Sequence, residues 1–499
     1  MVAATSLELG NDEVYYQAYA LHLQWNYFDH PPMVALLIRL STLNLFFHHE
    51  FFIRLGPVIC AALGTWLIFK TGCLLRSPRT GWMAAFLYNT SFYTSIIAGT
   101  FILPDSFHVL CWMLSIYLMV RILKLEQSGK SASFLFVLLG ISIGICIMSK
   151  VQGVFLWLGF GAYILFHRRE LLKMPMLWLS GVISLAIISP IYWWNLANHF
   201  ITYRYHGSRI GLLGKPDLDD LLQQVLGSIF YNNPVNVVLY AVTLIALIRK
   251  KFKQPPAFFP LLLWLSLPLI GILLWASLFS ETLPHWSGPA YLSLMLLAAG
   301  WLDEETDRPY PSRWLKSAAW VYGVVLILGV FSIRLLPLRL GSGEERNLGT
   351  GDPTLDMTGW KSFATQFDSL YREDTDSHKM KPGSIILSDY WFPAGHLDHY
   401  VARPNHQNLL VAGPLNNIHH FAWLNQQRSR LVPGSDAYFI YPSNYYGPPN
   451  PVLRMAFGRV EDSLIIPQYR SGTRVRNFII YRMHDFKGDS LEYLVPGIR

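Results

Sequence analysis

Acidic side chains, a histidine and several aromatic rings crowd the beginning of this chain, directly before a series of apolar segments. Asp12 and Glu13 stand together with Tyr16 just after them, and Asp29 and His30 come directly before two prolines. Carboxylates and imidazoles are groups that enzymes use for general acid–base catalysis. A double proline ends any helix before it and fixes the backbone, so it presents Asp29 and His30 from a rigid turn.

Two further charged residues lie where a charge is costly. Asp105 follows Pro104 in a short connection between apolar segments, and Lys150 lies in another short connection. A charge this close to hydrocarbon is expensive unless it is paired or used. Arg204, in a long polar connection, and His285, near the end of another, extend the same group. Together these carboxylates and cations suit acid–base chemistry on an anionic substrate.

Several of these residues also have a purely structural interpretation. Asn11 or Asp12 could be the N-cap of a helix, because short polar side chains accept hydrogen bonds from the first helical N–H groups. Asp105 could serve the same purpose for the segment that begins at Ser106. Lys150 could extend its ammonium group to the membrane interface. The sequence leaves these alternatives open.

The composition identifies the solvent of most of this chain as lipid. Of 499 residues, 52% are hydrophobic and only 14% are charged, where soluble domains carry about 25% charged residues. The net charge of +8 is distributed in short clusters between apolar runs, which argues against nucleic-acid binding. Cys60, Cys73, Cys111 and Cys146 lie in or beside apolar runs without metal-ligand spacing, so neither a zinc site nor a disulfide framework is expected.

Ten apolar runs have approximately the length of a membrane-spanning helix, and they lack the two-residue alternation of barrel strands. They lie near residues 53–70, 82–98, 106–123, 132–148, 153–167, 176–194, 232–248, 257–278, 288–302 and 316–336. We therefore predict an α-helical polytopic membrane protein with about ten spans.

Lysine and arginine predict the orientation, because cytoplasmic loops are enriched in them. Four short connections are densely basic: Lys70/Arg76/Arg79, Arg121/Lys124/Lys130, Arg168/Arg169/Lys173 and Arg249/Lys250/Lys251/Lys253. The alternate connections, residues 1–52 and everything after about 337 then lie outside the cytoplasm. An outside N-terminus without a leading helix predicts that one transmembrane helix is missing before Met1.

Three domains follow from this reading. Residues 1–52 form a first extracytoplasmic loop with the acids, residues 53–336 form the transmembrane domain, and residues 337–499 form a soluble extracytoplasmic α/β domain. Strand and helix signals alternate in the last domain. Strands are predicted at 384–387, 409–411, 438–441 and 478–481, and helices at 360–371 and 451–457.

The ordered series of motifs resembles the polyprenyl-phosphate-dependent glycosyltransferases of the GT-C fold, family 39 in the broad sense. That group includes protein O-mannosyltransferases and the transferase that adds aminoarabinose to lipid A. The matching motifs are Asp12-Glu13 with Tyr15-Tyr16, Tyr27-Phe28-Asp29-His30-Pro31-Pro32, Pro104-Asp105, Ser149-Lys150 and Pro284-His285-Trp286-Ser287-Gly288-Pro289.

The resemblance implies an inverting glycosyltransferase that moves a sugar from a polyprenyl-phosphate donor to a glycolipid, lipopolysaccharide or protein acceptor. It implies a bacterial inner-membrane location with the reaction on the outer face. Asp12, Asp29 and Asp105 would be the catalytic carboxylates, with Asp12 as general base. Glu13, Tyr16, His30, Lys150, Arg204 and His285 are expected to bind substrate. His30 stands where a relative has lysine, so Lys150 is the better candidate for the lipid phosphate.

No cofactor is required by this chemistry, and a divalent metal among the acids and His30 is allowed but not indicated by their spacing. The alternative from another class is a transporter or flippase of lipid-linked sugars. A transporter should place its ionisable residues near mid-membrane, whereas these acids lie in predicted outside loops. An oligosaccharyltransferase should carry a Trp-Trp-Asp signature in its soluble domain, which residues 337–499 lack.

Overall fold

The computed structural model of the protein describes residues 5–209, 215–305, 312–445 and 447–488. The chain divides into two compact units. The first contains Gln24–His48 and Phe52–Leu326, and the second contains the described residues of Val2–Leu23, His49–Phe51 and Ile327–Arg499. Residues 5–23, which carry Asp12, thus fold with the C-terminal part of the chain, whereas Asp29 and His30 fold with the helical part.

The regular secondary structure of the described residues before 335 is helical. In chain order its helices are α1 (Asn11–Tyr19), α2 (Met33–Ser41), α3 (Glu50–Leu75), α4 (Pro78–Thr90), α5 (Pro104–Gln127), α6 (Ser133–Ser149), α7 (Val154–His167), α8 (Pro175–Ala197), α9 (Ile201–Arg209), α10 (Leu218–Tyr231), α11 (Pro234–Ile248), α12 (Phe259–Trp264), α13 (Leu267–Ala276), α14 (Gly288–Glu305) and α15 (Arg313–Arg334).

Every apolar run predicted from the sequence is helical in the structure. Two runs are divided, one between α4 and a π-helix at Tyr93–Ile97, the other between α12 and α13. Five helical segments in the described residues are long and apolar enough to cross a membrane: α3, α5, α8, α12 with α13, and α15. Counting the bent pair α10 and α11 as one span gives six. The larger number of ten spans stays a prediction.

Helix α5 lies at the centre of the first unit and supplies much of its core. Trp112, Ile116 and Met119 on this helix are fully buried. Some polar groups inside the unit are bonded to neighbouring helices, as when Ser142 on α6 donates to the carbonyl of Cys111 on α5. Such interhelical hydrogen bonds satisfy polar side chains that hydrocarbon cannot. They fix the neighbours of α5, whose first turn carries Asp105.

The second unit contains a small α/β domain with one six-stranded sheet. Its strands are β1 (Ile385–Ser388), β2 (Leu409–Val411), β3 (Ala437–Pro442), β4 (Phe457–Val460), β5 (Leu464–Arg470) and β6 (Thr473–Phe486). The order is β2-β1-β3-β6-β4, with β5 also paired to β6. Strand β1 is parallel to β2 and β3, and β6 is antiparallel to β3, β4 and β5.

The helices of this domain are α16 (Trp360–Asp376), α17 (Trp391–His396), α18 (Leu415–Ile418), α19 (Phe421–Asn425) and α20 (Pro451–Met455). The four predicted strands and both predicted helices are present. The second helix ends at Met455, so Phe457 begins a strand instead of ending a helix. Strands β4 and β5 were missed, because a glycine and a proline interrupt the β-rich pattern there.

Candidate active site

A buried ion pair of the first unit joins two residues that the sequence singled out. The ammonium group of Lys150 donates to both carboxylate oxygens of Asp105, at 2.9 Å each. Lys150 is 6% exposed and Asp105 is 2% exposed. The ammonium has three N–H bonds, and within the described part of the chain only these two have a hydrogen-bond acceptor. The pair therefore holds a buried cation with one N–H still available.

The local structure explains how the two residues meet. Helix α5 begins at Pro104, so Asp105 lies in its first turn, where the helix dipole favours a carboxylate. Lys150 follows the last residue of α6 with an extended backbone. The N-cap of α5 is Leu103, so the interpretation of Asp105 as an N-cap is wrong. The interpretation of Lys150 as a lysine that reaches the interface is also wrong, because Asp105 binds its ammonium in a buried position.

Tyr93 is a third member of this group, and the sequence did not reveal it. Its hydroxyl donates to Asp105 Oδ1 at 2.8 Å. Tyr93 begins the π-helix, a feature that is frequent at functional sites but has no clear sequence signal. A Cβ atom added to Gly288 would lie 2.4 Å from the Tyr93 ring. The glycine of the predicted motif at 284–289 therefore lets α14 begin directly against this ring.

His285 and His30 are electrostatic neighbours of the ion pair. The charges of Lys150 and Asp105 act on both rings, and loss of hydration lowers the pKa of each histidine to about 4. Both histidines are therefore neutral near pH 7 and can donate or accept hydrogen bonds without carrying a positive charge. A neutral His30 is poorly suited to bind a phosphate as a cation, as the sequence already suggested, and the same holds for His285.

Asp29 and Arg204 lie in the same unit with different surroundings. The backbone carbonyl of Asp29 is 2.8 Å from His206 Nε2, which ties the turn before α2 to α9. Arg204, also on α9, is exposed. Among the described residues its guanidinium has no hydrogen-bond or ion-pair partner. Arg54, which sequence reasoning missed, is fully buried on α3 with its guanidinium 5.5 Å from the Phe101 ring centre.

The other three predicted site residues lie on α1 in the second unit. Asp12 is exposed, whereas Glu13 and Tyr16 are buried. The Glu13 carboxylate accepts the N–H of Gly10 at 2.8 Å, and Gly10 is the N-cap of α1. The prediction that Asn11 or Asp12 caps this helix is therefore wrong. Glu13 stabilises the start of the helix, and Asp12 is the acid of the pair that reaches solvent.

No group of three or more histidine, cysteine, aspartate or glutamate side chains in the described ranges is arranged to hold a metal ion.

Of the residues predicted from the sequence, the structure brings together Asp105, Lys150, His285 and His30. Sequence reasoning missed Tyr93, and it could not assign Glu13 to the start of α1.

Comparisons with known proteins find similar sequences and a similar fold. A sequence model of the family described as dolichyl-phosphate-mannose-protein mannosyltransferase matches residues 29–194. The lipid A galacturonosyltransferase RgtD of Rhizobium johnstonii is 23% identical over 353 residues, which cover 68% of this chain and 68% of RgtD. The matched family region includes Asp29, His30, Asp105 and Lys150.

Solved structures show the same fold. The crystal structure of ArnT from Cupriavidus metallidurans bound to undecaprenyl phosphate has a TM-score of 0.62 and 15% sequence identity, over 96% of this chain and 95% of ArnT. The apo form of ArnT has a TM-score of 0.58 over the same shares of both chains.

The chain has the fold of ArnT, and its sequence is similar to that of glycosyltransferases. The predicted resemblance to the polyprenyl-phosphate-dependent enzymes of that fold is confirmed. The matched family and RgtD are described as transferases, and the comparisons give no support to the transporter alternative.

Proposed function

We propose that this enzyme transfers a sugar from a polyprenyl-phosphate donor to a glycolipid acceptor on the outer face of the bacterial inner membrane. The observation that carries the proposal is the buried Lys150 ammonium, held by Asp105 with one N–H available. A dehydrated cation beside a membrane span suits a phosphate attached to a lipid chain. ArnT, which shares the fold, is known in a form bound to undecaprenyl phosphate.

The role of Lys150 in this proposal is to stabilise the departing polyprenyl phosphate. As the bond between the anomeric carbon and the phosphate oxygen breaks, the electron pair stays on that oxygen and negative charge grows there. A preorganised donor at this position favours the transition state more than the ground state. Burial strengthens the contact because the local dielectric is low. Asp105 acts through Lys150, by fixing the position of its ammonium group.

The general base in this proposal is Asp12. Its carboxylate accepts the proton of an acceptor hydroxyl while that oxygen attacks the anomeric carbon on the side opposite to the phosphate. The new bond to the acceptor forms as the bond to phosphate breaks, so the configuration inverts. Asp12 is exposed, whereas Glu13 is engaged at the start of α1.

Two observations support the acceptor class and the side of the membrane. RgtD is named for the transfer of galacturonic acid to lipid A, and we extend that acceptor class to this chain. The four basic connections favour a cytoplasmic side opposite to the site residues. A protein acceptor is the other outcome that an assay must distinguish.

The test is transfer by the purified full chain in liposomes. Undecaprenyl phosphate carrying mannose or galacturonic acid would serve as donor, with lipid A or a hydroxyl-bearing peptide as acceptor, and mass spectrometry would detect the products. We expect Asp12→Asn to lower kcat about 10²–10⁴-fold with little change in the donor KM. Asp376→Asn, an exposed aspartate on α16, is the matched control. Full activity of the Asp12 variant would exclude Asp12 as the base.

A further inference from the structure

The segment that carries Asp12 is attached to the C-terminal domain within the second unit. The Glu8 carboxylate accepts the backbone N–H groups of Trp360 and Lys361, at 2.8 and 3.2 Å. These are among the first N–H groups of α16, which have no partner inside the helix. The N–H of Leu9 donates to the Tyr400 hydroxyl at 2.7 Å. Residues 8 and 9 are therefore fixed directly before α1 begins.

A second group of contacts reaches α1 itself. His396 Nε2 is 2.9 Å from Asn11 Oδ1, and Asn11 is the residue before Asp12. The Tyr15 hydroxyl accepts the N–H of His420 at 3.1 Å. Arg403 donates to the Gln17 side chain near the end of the helix. Contacts thus occur at the beginning, middle and end of α1.

His396, the partner of Asn11, is enclosed by packed side chains. It is fully buried, and its ring stacks in parallel on Trp360 with 4.0 Å between centroids. The guanidinium of Arg476 lies 4.8 Å from the centre of the same Trp360 ring. Burial and the nearby Arg476 charge lower the pKa of His396 well below its usual value. A neutral imidazole beside an amide oxygen must carry its proton on Nε2, so His396 donates to Asn11.

The helix of His396 also packs closely on α1. Gly395 lies so near that an added Cβ would be 2.9 Å from Cγ2 of Val14 and 3.4 Å from the backbone nitrogen of Tyr15. Helices α17 and α1 therefore meet at van der Waals distance directly beside the hydrogen bond. A shift of α17 would move the first turn of α1, where Asp12 is the second residue.

We propose that His396 is a positioning residue for Asp12: through its hydrogen bond to Asn11, the C-terminal domain fixes the first turn of α1 and the direction of the Asp12 carboxylate. This inference rests on the proposed role of Asp12 as base. His396 itself touches neither substrate. The soluble domain thereby contributes to the chemical step by aligning the base, since misplacement of a catalytic group by about 1 Å can cost roughly 100-fold in rate.

The test compares His396→Leu, which removes the donor, with His396→Gln, whose side-chain amide can still donate. For His396→Leu we expect kcat to fall about 10–100-fold with the donor KM changed less than about 2-fold. His396→Gln should recover most of this loss. Amide hydrogen exchange in residues 9–19 should become faster in the leucine variant. His484→Leu is the control, because His484 is also buried and bonded, to Glu461 at 3.1 Å, near the end of β6.

Two milder variants keep the test decisive if His396→Leu does not fold. Asn11→Ala removes the same hydrogen bond from its other side and should lower kcat by a similar factor. The double variant Asn11→Ala/His396→Gln should lose no more kcat than Asn11→Ala alone, because Asn11→Ala has already removed the hydrogen bond. Gly395→Ala should also lower kcat by displacing α1, whereas Gly447→Ala, where an added Cβ has no atom within 4 Å, should not.

The outcomes separate this inference from the proposed function. If Asp12→Asn abolishes transfer while Asn11→Ala and His396→Leu keep the full kcat, the positioning role is wrong and the base assignment stands. If Asp12→Asn keeps the full kcat, the base assignment fails whatever the other variants do. An equal loss of kcat in His396→Leu and His484→Leu would show general destabilisation and would overturn the positioning role.

Discussion

Replacing Lys150 by methionine tests whether the buried cation serves catalysis or only the fold. The change removes the ammonium group and keeps a long, flexible side chain. Asp105, 2% exposed, then loses the cation that donates to both of its oxygens at 2.9 Å and retains the Tyr93 hydroxyl. Breaking one partner of a buried ion pair costs about 3–5 kcal/mol of stability, because the other charge remains buried.

A double variant separates the two roles. Asp105→Asn combined with Lys150→Met removes both charges, and replacing a buried pair by neutral groups is often nearly neutral for stability. We therefore expect the double variant to unfold close to the wild-type temperature. Its transfer rate should stay low, about 10²–10³-fold below wild type, which is the usual loss when one donor to a developing anion is removed. A low transfer rate in a variant that is as stable as wild type would show that the loss of activity does not come from loss of stability.

The assay combines thermal unfolding in detergent with transfer kinetics in liposomes. Binding of the polyprenyl-phosphate donor to each variant would be measured by titration. A matched control is the buried pair Arg470 and Asp352 of the C-terminal domain, whose charged atoms are 3.4 Å apart. Neutralising that pair as Arg470→Met with Asp352→Asn should leave the transfer rate near wild type. Recovery of the transfer rate in the Asp105→Asn/Lys150→Met variant would refute a role for Lys150 in phosphate stabilisation.

Two further predictions follow from single contacts. Tyr93→Phe removes the hydroxyl that donates to Asp105 at 2.8 Å, and should cost about 1.5–3 kcal/mol in thermal unfolding; an unchanged melting temperature would contradict this. Asp389, which follows β1, has its pKa raised to about 7 by burial, so its folded form binds a proton more readily than the unfolded chain. Stability should therefore fall as pH rises from about 4 to 7, and Asp389→Asn should be more stable than wild type at pH 8 by up to about 4 kcal/mol. Equal melting temperatures at pH 8 would show that the carboxylate is not destabilising.

The helical segments could be predicted because their cause is local. A long apolar run in lipid must satisfy its own backbone groups, and only a helix does so within one segment. All ten predicted runs are helical, and the four strands with continuous apolar residues were also found. Strand β5 was missed because Pro467 interrupts its apolar pattern. The strand is stabilised by antiparallel pairing with β6 across a short turn, which the pattern does not reveal.

The candidate site could be predicted only in part. Residue type and spacing identified Asp105 and Lys150, because charges beside apolar spans are costly and therefore informative. They did not indicate that the two residues bind each other. Tyr93 was missed, since a tyrosine in an apolar run has many ordinary structural roles.

The sequence by itself determined the helical segments and most of the residues singled out for chemistry, and the orientation expected from the basic loops stays a prediction. Tertiary structure decided which of those residues are engaged and with what. Glu13 binds the backbone of Gly10 while its neighbour Asp12 reaches solvent, and Lys150 is held by an acid 45 positions away. Such assignments depend on contacts between distant segments, and local propensity carries no information about them. The same holds for α1, which His396 fixes from far along the chain.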